Sequence, residues 1–232
     1  MIRMFTLSIA QLGDYRTLRI VAFSLLAAAA IYVGGIALAF WGISALVDAT
    51  GWTWAASLLA AAGGLAAALL GALFYPGLVT VVAGLFSESL CRAVELRHFP
   101  DLPPPREQSV PEILRGTLSF TILAVGLNLL ALPLYLLFPG VNVFVFCALN
   151  GYLVSVEYFE LAALRRLTPA QTKRLRKAVF LRLWGAGAVF AAAMAVPGIN
   201  LVAPIVATAF MVHMLESARG RFPELALSPP GR

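Results

Sequence analysis

AMAVPGINLVAP, residues 193–204, is a strongly apolar run broken by Pro197-Gly198 and followed at once by Ile199 and Asn200. LLFPGVNVFVF, residues 136–146, repeats the device, with Pro139-Gly140-Val141-Asn142 answering Pro197-Gly198-Ile199-Asn200. Proline ends a helix because it lacks an amide hydrogen and its ring clashes with the preceding turn. Glycine then gives the backbone freedom to reverse. Each break therefore predicts a tight helical hairpin.

The surroundings set the solvent for those hairpins. The chain of 232 residues is 61% hydrophobic and 12% charged, against roughly 25% charged in soluble domains. Runs without Lys or Arg extend over 20–91, 116–164 and 183–218, and all 17 basic residues fall in the segments between and outside them. Because cytoplasmic loops collect Lys and Arg, every apolar block is expected to enter and leave on the same side, with both termini cytoplasmic. The net charge of +6 is then explained by orientation and by attraction to anionic lipid headgroups, and nucleic acid is not expected as a partner.

The predicted organisation is one all-α membrane domain. Its parts are a cytoplasmic amino-terminal segment (1–19), a long helical hairpin (20–91), a cytoplasmic loop (92–115), a second hairpin (116–164), a basic cytoplasmic segment (165–182), a third hairpin (183–218) and a cytoplasmic tail (219–232). The first apolar stretch is too long for a cleaved signal peptide. Asp48-Ala-Thr-Gly-Trp52 is the expected turn of the long hairpin; its second arm exceeds one span and is expected to tilt, kink near Pro76-Gly77 or continue into the cytoplasm. The Gly63, Ala67, Gly71 stripe reads as internal helix packing, with a dimer face or permeation wall as the other readings.

Two depths are open for the Pro-Gly turns. Full crossing would put them among headgroups, yet Leu136-Leu137-Phe138 and Ala195-Val196 flank them. Half-penetration would leave irregular backbone at membrane depth, which requires protein or a wet cavity around it. Asn142 and Asn200 are then positioned to satisfy freed backbone groups. Arm lengths of 17–22 residues fit either reading.

Four stretches in order, QLGDYRTLR (11–19), GLFSESLCRAVELRHFP (84–100), FPGVN with VEYFELAALRR (138–166) and VPGINLVAP (196–204), resemble the CysZ-like family of bacterial sulfate permeases and, more remotely, etoposide-induced protein 2.4. The resemblance implies two long transmembrane helices plus two hemi-penetrating hairpins with cytoplasmic amphipathic segments, in the inner membrane. It also implies a homo-oligomer that takes up sulfate for cysteine biosynthesis, with no cofactor. The family's anion site, a Gly-Leu-Arg motif at the start of the first long helix, corresponds here to Thr17, Leu18 and Arg19, with Arg16 as a second guanidinium. Thr17 stands where the motif has Gly, and Asp14 adds a negative charge nearby.

The residues themselves supply the physical warrant. A helix amino terminus presents free amides and a positive dipole end, and two Arg forks suit a tetrahedral dianion. The other reading of Arg16 and Arg19 is as positive-inside anchors. Arg165, Arg166, Lys173, Arg174, Arg176 and Lys177 read as a polybasic face for lipid headgroups.

Enzymatic chemistry is not expected: HExxH, GxSxG and P-loop motifs are absent from the sequence. Cys91 and Cys147 form no CxxC, and no metal site is indicated. Glu157 with Glu160, and His213 with Glu216, each one helical turn apart, are the residues with the spacing for a proton or ion relay. Half-inserted hairpins and basic loops also fit a rival function, a non-transporting scaffold that shapes the bilayer.

Overall fold

The computed structural model describes residues 1–50, 87–196 and 198–226. The described residues are helical throughout their ordered elements, with no strand among them. In chain order these are α1 (Ile2–Ala10), α2 (Tyr15–Thr50), α3 (residues 87–98), α4 (Val110–Leu137), α5 (Asn142–Ala163), α6 (Pro169–Ala178), α7 (Phe180–Met194), α8 (Ile199–Arg221) and α9 (Pro223–Ala226). They fall into two compact units, one made of residues 1–14 and 87–232 and the other of residues 15–86.

The second unit is described through α2, whose 36 residues make about 54 Å of helix at 1.5 Å per residue. Phe23, Leu26, Leu38, Phe40 and Trp41 stand exposed along it, a surface suited to lipid. Helix continues through Asp48, Ala49 and Thr50, so the first three residues of the expected turn are helical. The rest of that turn, Pro76-Gly77 and the Gly63, Ala67, Gly71 stripe lie outside the described residues.

In the first unit, α5, α7 and α8 pack together with α1 and α3 around Phe159, Leu183, Phe210, Met211 and Leu215. Every residue of α8 from Val206 to Leu215 is buried, so this part of the helix is surrounded on all sides. α5 meets α7 through glycine. A Cβ on Gly151 would lie 2.7 Å from Ala188 Cα, and one on Gly187 would strike the Gly151 carbonyl and come within 2.8 Å of Ser155 Cβ. Small residues let helices approach closely in a membrane, where burying apolar surface gives little drive for association. α1, expected as part of a cytoplasmic segment, is built into this core. Its Phe5 ring sits 5.2 Å from Phe190 and 4.6 Å from Phe210.

Both Pro-Gly breaks fall between helices. Pro139–Val141 forms a single 3₁₀ turn joining α4 to α5. The second break works differently: Gly198, at φ 85°, precedes α8, and its amide donates to Asn200 Oδ1 at 3.2 Å. A side-chain bearing residue rarely adopts that φ. Asn200 thus satisfies a turn amide as expected, whereas the buried Oδ1 of Asn142 has no partner. Pro197 lies outside the described residues.

α4 and α5 are each long and apolar enough to cross a membrane. α4 is almost unburied in its unit, with Ala131 as its buried residue. The first arm of the third hairpin begins within the segment expected as basic and cytoplasmic: the helix breaks at Val179, and α6 meets α7 at 88°. Thr168 caps α6 through a capping box with Gln171, with Pro169 just inside the helix, so the basic segment forms a helix of its own.

Candidate functional site

Residues Gln11–Gly13 form a 3₁₀ turn after α1, and Asp14 follows in extended conformation (φ −78°, ψ 127°) before α2 begins at Tyr15. Extended backbone at the residue before a helix is the geometry of an N-cap. An Asp brings a negative charge to that position in the chain. Arg97 Nη1 lies 3.5 Å from Asp14 Oδ1, and Gln11 Nε2 donates to Asp14 Oδ2 at 3.5 Å, so part of that charge is compensated. Within the first turn of α2, Thr17 is buried while Leu18 and Arg19 are exposed. The Arg16 side chain lies outside the described residues.

Gln11 also reaches α3. His98 Nε2–H donates to Gln11 Oε1 at 3.3 Å. The acceptor is an amide oxygen, which fixes the proton on Nε2 of the neutral ring. The His98 ring meets that of His213 edge-on at 4.7 Å, and Phe99 lies 5.4 Å from His213 on another side. His213 is 5% exposed and its Nε2 has no partner. Burial, reinforced by the Arg97 guanidinium and opposed by Asp14, holds His98 below the ordinary imidazole range.

A second polar layer joins two of the stretches singled out in the sequence. Arg165, 5% exposed, bonds Glu88 at 2.9 Å and Glu95 at 3.4 Å. Arg166 bonds the same Glu95 at 2.7 Å and donates to the Pro103 carbonyl at 2.7 Å. Two buried arginines thus share the buried Glu95, with the exposed Glu88 as a second carboxylate to Arg165, so that part of the buried charge is compensated. Arg106 continues the layer, its amide donating to the Arg165 carbonyl at 2.7 Å and its guanidinium gripping Glu112 in a fork.

The four relay residues are engaged separately. Glu160 pairs with Arg176 and Glu216 with Arg219. Glu157 is exposed. His213 contacts His98 in place of Glu216. Among the described residues no three His, Cys, Asp or Glu side chains are grouped to hold a metal. The polybasic face is likewise divided: Arg165, Arg166 and Arg176 are committed to glutamates, while Lys173, Arg174 and Lys177 are exposed on α6.

Three features were not singled out in the sequence. Glu88 and Glu95 are seven residues apart, two helical turns, and so share a face of α3. Gly151 and Ser155 have the small-residue spacing of a close crossing. The Gln11–His98–His213 contact has no local signal, because its members are separated by 87 and 115 positions.

Residues 4–204 match the family described as Sulfate transporter CysZ/Etoposide-induced protein 2.4. The match covers most of the chain, which therefore belongs to that family. No curated protein matches it.

Proposed function

We propose that this member of the CysZ and etoposide-induced protein 2.4 family is a multi-pass permease for a small oxyanion, sulfate first, that supplies cysteine biosynthesis from the inner membrane of a bacterium. Family membership over residues 4–204 is the observation that carries the reading. It already makes the chain a membrane protein of sulfate-transporter type; the ion itself, the homo-oligomer and the cytoplasmic termini belong to the proposal.

Binding begins, in this reading, at the first turn of α2. Arg19 is exposed there, with Leu18 beside it, and Arg16 precedes it by three residues, about one turn. A guanidinium fork can meet two oxygens of a tetrahedral anion while the helix amides meet a third. No covalent chemistry is required, so the protein acts as a conduit and not as an enzyme.

The third hairpin is proposed to half-penetrate. α7 has 15 residues, about 22 Å, whereas the hydrocarbon core is about 30 Å thick. The second hairpin is proposed to follow the family pattern, although 28 and 22 residues in its arms give lengths of about 42 and 33 Å, enough for a crossing.

Calorimetry on folded, detergent-solubilised protein tests the binding step. Each charge-assisted contact contributes roughly 1.5–3 kcal/mol in a sheltered site, so Arg19→Gln weakens sulfate binding about tenfold or more. Equal affinity in the wild type and the Arg16→Gln, Arg19→Gln double variant would reduce these arginines to membrane anchors.

A further inference from the structure

Of the seven basic residues of 165–182, Arg182 is exposed on α7 just past its start, and the six before it do not act as one patch. Arg165 and Arg166 are held by Glu88 and Glu95, and Arg176 by Glu160. Lys173, Arg174 and Lys177 remain exposed on α6, and no described acidic side chain pairs with them. Their spacing places Lys177 one turn from both Lys173 (i, i+4) and Arg174 (i, i+3), so the three cations share one side of the helix. The opposite side of α6 is fixed to the protein through buried Gln171, Thr172 and Leu175. The cations therefore cannot roll inward to find a partner.

The elbow at Val179 gives this face its setting. With α7 directed into the apolar layer, the 88° bend lays α6 along the membrane surface. Just past the elbow, Leu181 is 75% and Trp184 37% exposed, and the Trp184 indole N–H donates to the Ala148 carbonyl at 2.9 Å. From Lys177 to Phe180 is three residues, at most about 11 Å of chain. Cations and exposed apolar rings thus adjoin, in the order a phospholipid presents its phosphate and its acyl chains.

We propose that the α6–α7 elbow is a binding site for an anionic phospholipid, whose phosphate is gripped by Lys173, Arg174 and Lys177 while its chains lie along Leu181 and Trp184. The occupant is a lipid and not free phosphate, because the exposed apolar side chains beside the cations have no role toward a soluble ion. Occupancy pins α6 flat and so sets the depth at which the short α7 arm enters.

Native mass spectrometry of the full chain, released from vesicles of equal phosphatidylglycerol and phosphatidylcholine, tests this. The wild type is expected to retain phosphatidylglycerol over phosphatidylcholine, and the Lys173→Gln, Arg174→Gln, Lys177→Gln variant to lose that preference at least tenfold. Arg92→Gln with Arg115→Gln removes exposed charge elsewhere and is expected to keep it. Lys173→Arg with Lys177→Arg preserves charge and is expected to retain lipid. Should the triple variant fail to fold, Arg174→Gln alone is expected to lower retention severalfold. An unchanged preference in the folded triple or single variant would overturn the proposal. So would equal loss in the Arg92, Arg115 control, or complete displacement of the lipid by inorganic phosphate at the same ionic strength. Sulfate binding at Arg19 can fail without affecting any of these outcomes.

Discussion

Gly187→Ala and Gly185→Ala add the same methyl group two positions apart on one helix, with opposite expected results. At Gly185 the new Cβ meets nothing within 4 Å. At Gly187 it strikes the Gly151 carbonyl and comes within 2.8 Å of Ser155 Cβ. The obstacle is backbone, so no rotamer change relieves it, and α5 and α7 must separate along their crossing. Overpacking of this kind costs about 1–3 kcal/mol, and the upper half of that range applies where the clash is with main chain. Gly185→Ala instead removes a helix-interior glycine, worth up to about 1 kcal/mol of stabilisation. Thermal unfolding of purified protein in one detergent, followed by circular dichroism, measures both. The expected order of melting temperature is Gly185→Ala at or above wild type and Gly187→Ala well below it. Equal melting temperatures for the two variants would refute the close α5–α7 crossing.

Other perturbations probe the remaining contacts. Glu95→Gln leaves the buried guanidiniums of Arg165 and Arg166 without the carboxylate they share and is expected to cost about 3 kcal/mol or more, read as a lowered melting temperature; an unchanged value would show the layer to be solvated. His98 carries its proton less readily folded than unfolded, because of burial and Arg97. Below the ordinary imidazole range near 6.5 the unfolded chain therefore gains a proton that the folded chain refuses. Stability linked to His98 is full above that range and falls as pH drops through it, so the melting temperature should decline less from pH 7.5 to 5.5 in His98→Gln than in wild type. Asp14→Asn removes the carboxylate at the start of α2 and is expected to tighten sulfate binding severalfold by calorimetry, at some loss of stability from the broken Arg97 contact.

The hairpins were legible because their signals are local. Pro139-Gly140 and the glycine of Pro197-Gly198 mark the ends of helices from within a few residues, and Asn200 bonds the turn it follows. The two turns still differ, one a 3₁₀ turn and the other built on a positive φ, because that choice depends on how the flanking helices pack. The elbow at Val179 carried no such mark: Lys177-Ala178-Val179-Phe180 contains neither Pro nor Gly.

Charge was legible as a census but not as a map. Counting basic residues sorted the segments, yet it could not tell Arg176, paired with Glu160, from Lys177, exposed one position later. Those fates are set by contacts across 16 to 77 residues of chain. The resemblance pointed to Thr17, Leu18 and Arg19; the structure adds that Thr17 is buried and that Asp14 occupies the cap position before the helix.

Labelled sulfate uptake by sealed vesicles containing the purified protein tests the central claim most directly. The account predicts saturable, protein-dependent entry that is weakened at least tenfold in Arg19→Gln and only partly restored in Arg19→Lys, which keeps the charge but lacks the planar fork. Entry no faster than in protein-free vesicles, accompanied by a change in vesicle shape, would contradict it and favour the bilayer-shaping scaffold.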